Sequence, residues 1–142
     1  MKLVDANILI YAWDLNSPHH PACKTWLEQH LNSRRKFGIP WASALAFSRI
    51  VSNPRIYERP ATTHTAWQQV RQWLAVDSVF IPEPMDDHAA IIAHILGSTA
   101  LSANDLPDVH LAALAIEHGL VLCSTDSDFA KYKDLVRENP LE

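Results

Sequence analysis

The chain has 142 residues, of which 48% are hydrophobic, so we expect a single domain over residues 1–142 with a buried core. No apolar run approaches the roughly 20 residues of a membrane helix, and no basic segment leads into a long apolar one at the N-terminus. These features predict a cytoplasmic protein. The net charge of −4 argues against a broad basic nucleic-acid-binding surface, so any such contact has to be local or assisted by a metal.

Strand and amphipathic-helix patterns alternate along the first half of the chain. In chain order they predict a strand at 1–5, a helix beginning just after Asp5, a helix at 20–31, a strand at 37–40, and helices at 41–51 and 63–74. Thr62 is the predicted N-cap of the last helix. The basic segment Arg34-Arg35-Lys36 is interpreted as a solvated turn, with contact to nucleic-acid phosphates as the alternative.

The same alternation continues in the second half. The predicted elements are a strand at 79–82, a helix at 88–96 capped by Asp86-Asp87, a polar loop at 97–107, a helix at 108–118, a strand at 120–123 and an edge strand at 135–136. Gly119 is a typical helix C-terminal stop. Regular alternation of strands and helices favours an α/β fold, in which helices cover both faces of a parallel sheet.

Three aspartates occupy positions that a parallel sheet brings together. Asp5 and Asp126 follow predicted strands, and Asp108 opens the helix before the fourth strand. Ligands bind outside the carboxyl ends of parallel strands, and carboxylates that share a pocket stay ionised together only around a cation. Each aspartate alone is explained as a helix cap or turn residue. Together they indicate a metal-dependent site acting on phosphodiesters.

The acidic segments also resemble one family in their order along the chain. Val4-Asp5-Ala6-Asn7-Ile8-Leu9 resembles the opening of PIN domains. Residues 106–115, Leu-Pro-Asp-Val-His-Leu-Ala-Ala-Leu-Ala, resemble the family's second acidic motif, and Ser124-Thr125-Asp126-Ser127-Asp128-Phe129 resembles its last one. Residues 47–56 resemble the middle of the VapC-type toxins.

This resemblance implies a three-layer α/β/α sandwich with Mg²⁺ or Mn²⁺ at the carboxylates. It implies an endoribonuclease that cleaves RNA with metal-activated water. It further implies a toxin that a cognate antitoxin holds inactive, and a homodimer.

The resemblance assigns roles to individual residues. Asp5 and Asp108 match the family's metal ligands, and Asp126 matches its third aspartate, which binds metal directly or through water. These three are the expected catalytic residues. Asp128 matches a less strict acidic position, and Asn7 and Ser124 match polar positions that orient the carboxylates. Arg49 and Arg55 lie in the middle motif and are candidates for phosphate or antitoxin contact, with pairing to an acid as the alternative for Arg49.

One position departs from the family pattern. Many members carry a glutamate three residues before Arg49, where this chain has Ala46. Either Asp126 and Asp128 suffice as the remaining acids, or Asp105 helps. The missing carboxylate also supports an alternative function, a PIN module that only binds a partner. A haloacid-dehalogenase-type phosphohydrolase ranks low, because it needs an aspartate where Asn7 stands.

Overall fold

The computed structural model describes residues 1–142, and its centre is a sheet of five parallel strands. The strands are β1 (Lys2–Val4), β2 (Phe37–Gly38), β3 (Val79–Phe80), β4 (Val121–Cys123) and β5 (Arg137–Glu138). Their order across the sheet is β3-β2-β1-β4-β5, and every neighbouring pair is parallel. The predicted parallel sheet is therefore confirmed.

Six α-helices cover the two faces of this sheet. They are α1 (Ala6–Trp13), α2 (His20–Leu31), α3 (Trp41–Val51), α4 (Thr63–Leu74), α5 (His88–Ser98) and α6 (Leu106–His118). Helices α1 to α4 pack around one buried cluster, and α5 and α6 pack around the other. This is the three-layer α/β/α architecture.

Alternate residues of the central strands face opposite layers. Leu3 and Leu122 belong to the cluster under α5 and α6, whereas Val4 and Cys123 belong to the cluster under α1 to α4. All four side chains are fully buried. Because both faces of a parallel sheet are covered, its central strands are apolar throughout, and side chains alternate between the faces.

Several predicted boundaries shift in the structure. Helix α6 begins at Leu106 rather than Asp108, and a short 3₁₀ helix, Ala103–Asp105, leads into it from the predicted polar loop. Strand β5 lies at 137–138 rather than 135–136, because Glu138 and Arg137 are the residues in register with β4. Thr62 caps α4 as predicted, since its hydroxyl accepts a hydrogen bond from the Thr65 amide at 3.0 Å. Asp87 precedes α5 but makes no capping bond with its side chain.

The topology defines one crevice. From β1 the chain adds β2 and β3 on one side, and then returns to add β4 and β5 on the other. The reversal lies between β1 and β4, and ligands bind at the carboxyl ends of such a pair in open α/β sheets. None of the helices combines the length and the hydropathy that a membrane span requires.

Candidate active site

Asp5 lies at the carboxyl end of β1, where the strand passes directly into α1. Its backbone amide donates to the Cys123 carbonyl at 2.9 Å. Its side chain caps α1, with Oδ1 accepting a hydrogen bond from the Ala6 amide at 2.7 Å. The helix N-terminus favours a negative charge at this point. The same residue is thus a helix cap and a carboxylate at the crevice.

Ser124 connects Asp5 to the end of β4. The buried Ser124 hydroxyl donates to Asp5 Oδ2 at 2.8 Å, and it accepts from Asn7 Nδ2 and from the Asp126 amide, both at 3.0 Å. The Asn7 side chain in turn accepts from the Thr125 amide at 3.3 Å. These bonds tie the ends of the two central strands together and hold the Asp5 carboxylate in one orientation.

Asp108 shares a cavity with Asp5. This cavity of about 260 Å³ is also lined by Asn7, Ala46 and Arg49. Asp108 projects from the first turn of α6, on the opposite side of the sheet from α1 and α3. The two aspartates therefore reach the same space from different layers of the fold.

The charges in the crevice repel one another. Burial raises the pKa of Asp5, the Ser124 and Ala6 hydrogen bonds lower it, and the charge of Asp126 raises it. Burial and then the charges of Asp5 and Asp126 raise the pKa of Asp108 to about 6. Like charges and burial both disfavour the ionised form. Asp126 therefore acts electrostatically on both Asp5 and Asp108, although it does not line their cavity.

The other two acids have different surroundings. Asp105 pairs with Lys131 at 2.8 Å and accepts a hydrogen bond from the Ser102 amide at 2.9 Å, and these contacts lower its pKa. Asp128 is exposed, and its amide donates to Asp126 Oδ1 at 2.9 Å. No three His, Cys, Asp or Glu side chains converge closely enough to hold a metal ion among themselves.

Of the two predicted basic contact residues, only one lies at the cavity. Arg49 lies on α3 at the cavity wall, whereas Arg55 is exposed in the turn beyond α3 and does not line the cavity. Ala46 also lines it, so the position of the missing glutamate faces the aspartates. His110 does not line the cavity, and its Nδ1 lies 3.0 Å from Nε2 of His88 on α5.

Two residues at this site carry no sequence signal that singles them out. Lys131 lies close enough to Asp108 to lower its pKa, opposing the surrounding carboxylates. Ser43 is buried at the cavity, and its hydroxyl donates to the Val4 carbonyl at 2.7 Å. Both contacts join segments far apart in sequence, so neither follows from local spacing.

The donor set fits a hard divalent cation. Asp5 and Asp108 offer carboxylate oxygens to one cavity, and no thiolate or imidazole lines it. Burial and the neighbouring carboxylates raise the pKa of Asp108 despite the opposing charge of Lys131, so a bound cation would stabilise the ionised pair. Mg²⁺ and Mn²⁺ prefer oxygen ligands, and Mg²⁺ retains several waters rather than requiring an all-protein cage.

Comparison with known proteins identifies similar chains over the whole length. The PIN domain family matches residues 2–135. Ribonuclease VapC37 of Mycobacterium tuberculosis is 38% identical over 140 residues, covering 99% of this chain and 97% of that protein. Ribonuclease VapC33 of the same organism is 30% identical over 141 residues, covering 99% of both chains.

Solved structures with the same fold are more distant in sequence. FitAcB from Neisseria gonorrhoeae contains a chain with a TM-score of 0.71 and 17% identity, covering 100% of this chain and 99% of that one. VapBC2 from Rickettsia felis, solved with a DNA fragment from its promoter, gives a TM-score of 0.69 and 15% identity, with 97% of each chain covered. These two structures support the fold.

Proposed function

This chain belongs to the PIN domain family and, within it, to the VapC-type ribonucleases, and on that premise we propose that it is the endoribonuclease toxin of a toxin–antitoxin pair. The family resemblance found in the sequence is thereby confirmed. We further propose that Asp5, Asp108 and Asp126 are the catalytic and metal-binding residues, and that Mg²⁺ or Mn²⁺ is the cofactor.

The observation that carries this proposal is the gathering of aspartate side chains at the crevice. Asp5 and Asp108 line one cavity, and the charge of Asp126 raises the pKa of each. A fold gains no stability from gathering three like charges, so their arrangement indicates a missing positive ligand. Asp5 and Asp108 would hold the cation directly, and Asp126 would complete the site through water.

The protein contributes a negatively charged binding site whose carboxylates are held in place. When bound, the cation supplies an activated water and offsets negative charge on the phosphodiester in the transition state. Ser124 and Asn7 orient the Asp5 carboxylate, as supporting hydrogen bonds do at metal ligands. Arg49, at the edge of the same cavity, is placed to bind a phosphate oxygen of the substrate. Asp105 forms an ion pair with Lys131, so we do not include it among the metal ligands.

Cleavage of labelled RNA with Mg²⁺ or Mn²⁺ tests the proposal. Asp5→Asn should abolish cleavage, because it removes a ligand charge while keeping the shape of the side chain. Asp77→Asn is the matched control, since Asp77 is exposed and lies outside the cavity. If Asp5→Asn cleaves RNA as well as wild type, or if Asp77→Asn loses activity equally, the assigned site is wrong.

A second candidate function is a PIN module that binds a partner without cleaving RNA. Ala46 at the cavity wall and the lack of three converging metal-binding side chains favour it. Calorimetric titration separates the two functions. Binding of Mn²⁺ that depends on Asp108 supports the nuclease, whereas no binding at millimolar Mn²⁺ supports the inert module.

The partners follow from the same proposal. We propose that the substrate is RNA, that the protein acts in the cytoplasm, and that the inhibitor is a cognate antitoxin. We also propose a homodimer and treat residues 1–142 as one PIN domain. Co-expression with the product of an adjacent antitoxin gene should suppress cleavage, and size measurement by light scattering should give twice the 16.0 kDa chain mass. Cleavage that persists in the copurified complex contradicts the antitoxin assignment.

A further inference from the structure

A second cavity lies at the opposite end of the sheet from Asp5 and Asp108. It opens beside the first residues of β1 and β2, whereas the acidic crevice lies beyond the carboxyl ends of the strands. Its volume is about 240 Å³, and its polar lining consists of Lys2, Gln29, His30, Ser33, Arg35 and Lys36. No carboxylate lines it, although the chain has a net charge of −4.

Two of these cations keep their charge without a carboxylate partner. Lys2 is neutralised by Glu138 at 2.7 Å, but Arg35 forms no ion pair. The Lys36 ammonium reaches only the Asp77 carbonyl, at 3.4 Å. Positive charge is therefore concentrated at this cavity and is available to an incoming anion.

The segment that carries these cations is held in place by hydrogen bonds to its backbone. Ser33 Oγ accepts from the Arg35 amide at 3.1 Å. On either side, Ser78 Oγ donates to the Leu31 carbonyl and the Phe37 amide donates to the Ser78 carbonyl, both at 2.8 Å. The turn is exposed, as predicted, and it is held on the rim of a cavity, which reduces the ordering cost of binding.

One neighbouring side chain adds a neutral donor. The Gln29 side-chain amide makes no hydrogen bond within the protein, and it lines the same cavity. His30 Nδ1 donates to the Trp26 carbonyl at 2.7 Å, so Nε2 of a neutral ring is an acceptor and adds no N–H donor. A guanidinium, an ammonium and an amide around one small space can bind several oxygens of a single anion.

We infer that this cavity is a phosphate-binding site that anchors RNA away from the site of cleavage. The identification of the phosphate with RNA rests on the proposed function. Without its cation the acidic crevice repels RNA, and the chain has no excess of positive charge, so RNA affinity away from the cleavage site has to come from a local group of unpaired cations. The strands between the two cavities are short, about 10 Å at roughly 3.3 Å per residue, so a structured RNA can contact both ends of the sheet.

Binding of a labelled RNA hairpin in EDTA tests this site without any cleavage. The test variant is Arg35→Ala/Lys36→Ala, and the matched control is Arg59→Ala/Arg71→Ala. The control removes the same charge from exposed positions outside both cavities. We expect the test variant to bind RNA roughly tenfold more weakly. The slope of log K against log salt concentration should become shallower by about 1.4, which is about 0.7 for each lost phosphate contact with single-stranded RNA. The control variant should bind nearly as well as wild type.

Two further measurements decide the ligand class. Pyrophosphate should shift the backbone amide resonances of residues 33–37 in wild type and compete with RNA, whereas polyglutamate should do neither. Equal weakening in the two double variants, or competition by polyglutamate alone, overturns the inference.

The cleavage readout keeps this inference separate from the proposed nuclease function. With Mn²⁺, Arg35→Ala/Lys36→Ala should cleave a dinucleotide as wild type does, but it should show a raised KM and unchanged kcat for the hairpin. An unchanged KM for the hairpin also overturns the inference. If no protein cleaves any RNA, the nuclease proposal fails while the binding comparison in EDTA still decides the phosphate site.

Discussion

Replacing Asp108 by asparagine should stabilise the metal-free protein at neutral pH. Asp108→Asn keeps the size of the side chain and removes the charge that repels Asp5 and Asp126. The shift in pKa from 3.8 to about 6 destabilises the ionised native state by at most about 3 kcal/mol, at about 1.4 kcal/mol per unit. Asp108 is partly exposed, so screening lowers this to about 2 kcal/mol.

A favourable interaction opposes part of that gain. Asp108 lies in the first turn of α6, where a negative charge stabilises a helix by about 0.3–1 kcal/mol. The variant loses this contribution, so the expected net increase in the free energy of unfolding is about 1 kcal/mol at pH 8. For a domain of this size the melting temperature should rise by roughly 2–6 °C.

The penalty for ionising Asp108 in the native state depends on pH. The folded pKa of Asp108 lies above the unfolded value, so the native state binds the proton more tightly. The penalty is absent below about pH 4, grows as pH rises towards 6, and is complete above it. Urea denaturation in EDTA from pH 4 to pH 8 should show the two proteins converging in acid and separating at neutral pH.

Asp105→Asn is the contrasting control. Its pKa is lowered by Lys131, so its removal should destabilise the protein at pH 8. If Asp108→Asn is no more stable than wild type at pH 8, or if its advantage persists unchanged at pH 4, the charge of Asp108 does not destabilise the native state.

Ser124→Ala should weaken Mn²⁺ binding by roughly 10–100-fold in calorimetry, because Asp5 loses its orienting donor; wild-type affinity would contradict that role. Wild-type Mn²⁺ affinity should fall roughly tenfold per pH unit below about pH 6, where Asp108 is protonated, and a flat profile would exclude Asp108 as a ligand. Gly119→Ala should lower the free energy of unfolding by about 1 kcal/mol, since Gly119 has a φ of +67°, while leaving RNA cleavage unchanged; unaltered urea denaturation would disprove the strain.

Local patterns predicted most of the helices and strands correctly. The apolar run before Asp5 and the run before Ser124 become the two central strands, because a strand covered on both faces must be apolar at every position. The stop at Gly119 and the cap at Thr62 follow from single residues with specific backbone requirements. Boundaries that depend on pairing were wrong, as at β5, where the register with β4 decides which residues form the strand.

The sequence by itself determined the family, the parallel sheet and the positions of the aspartates along the chain, since these depend on hydrophobic periodicity and ordered motifs. Tertiary structure alone decided which acids share a space. Asp5 and Asp108 line one cavity, Asp126 acts on them through its charge, and Asp105 is engaged by Lys131. It also showed that Arg35 and Lys36, exposed in a turn as predicted, line a cavity. The physical reason is the same in each case. The distances between side chains from different layers are set only when the sheet and its helices pack, and these distances determine the electrostatic interactions and the desolvation of the side chains.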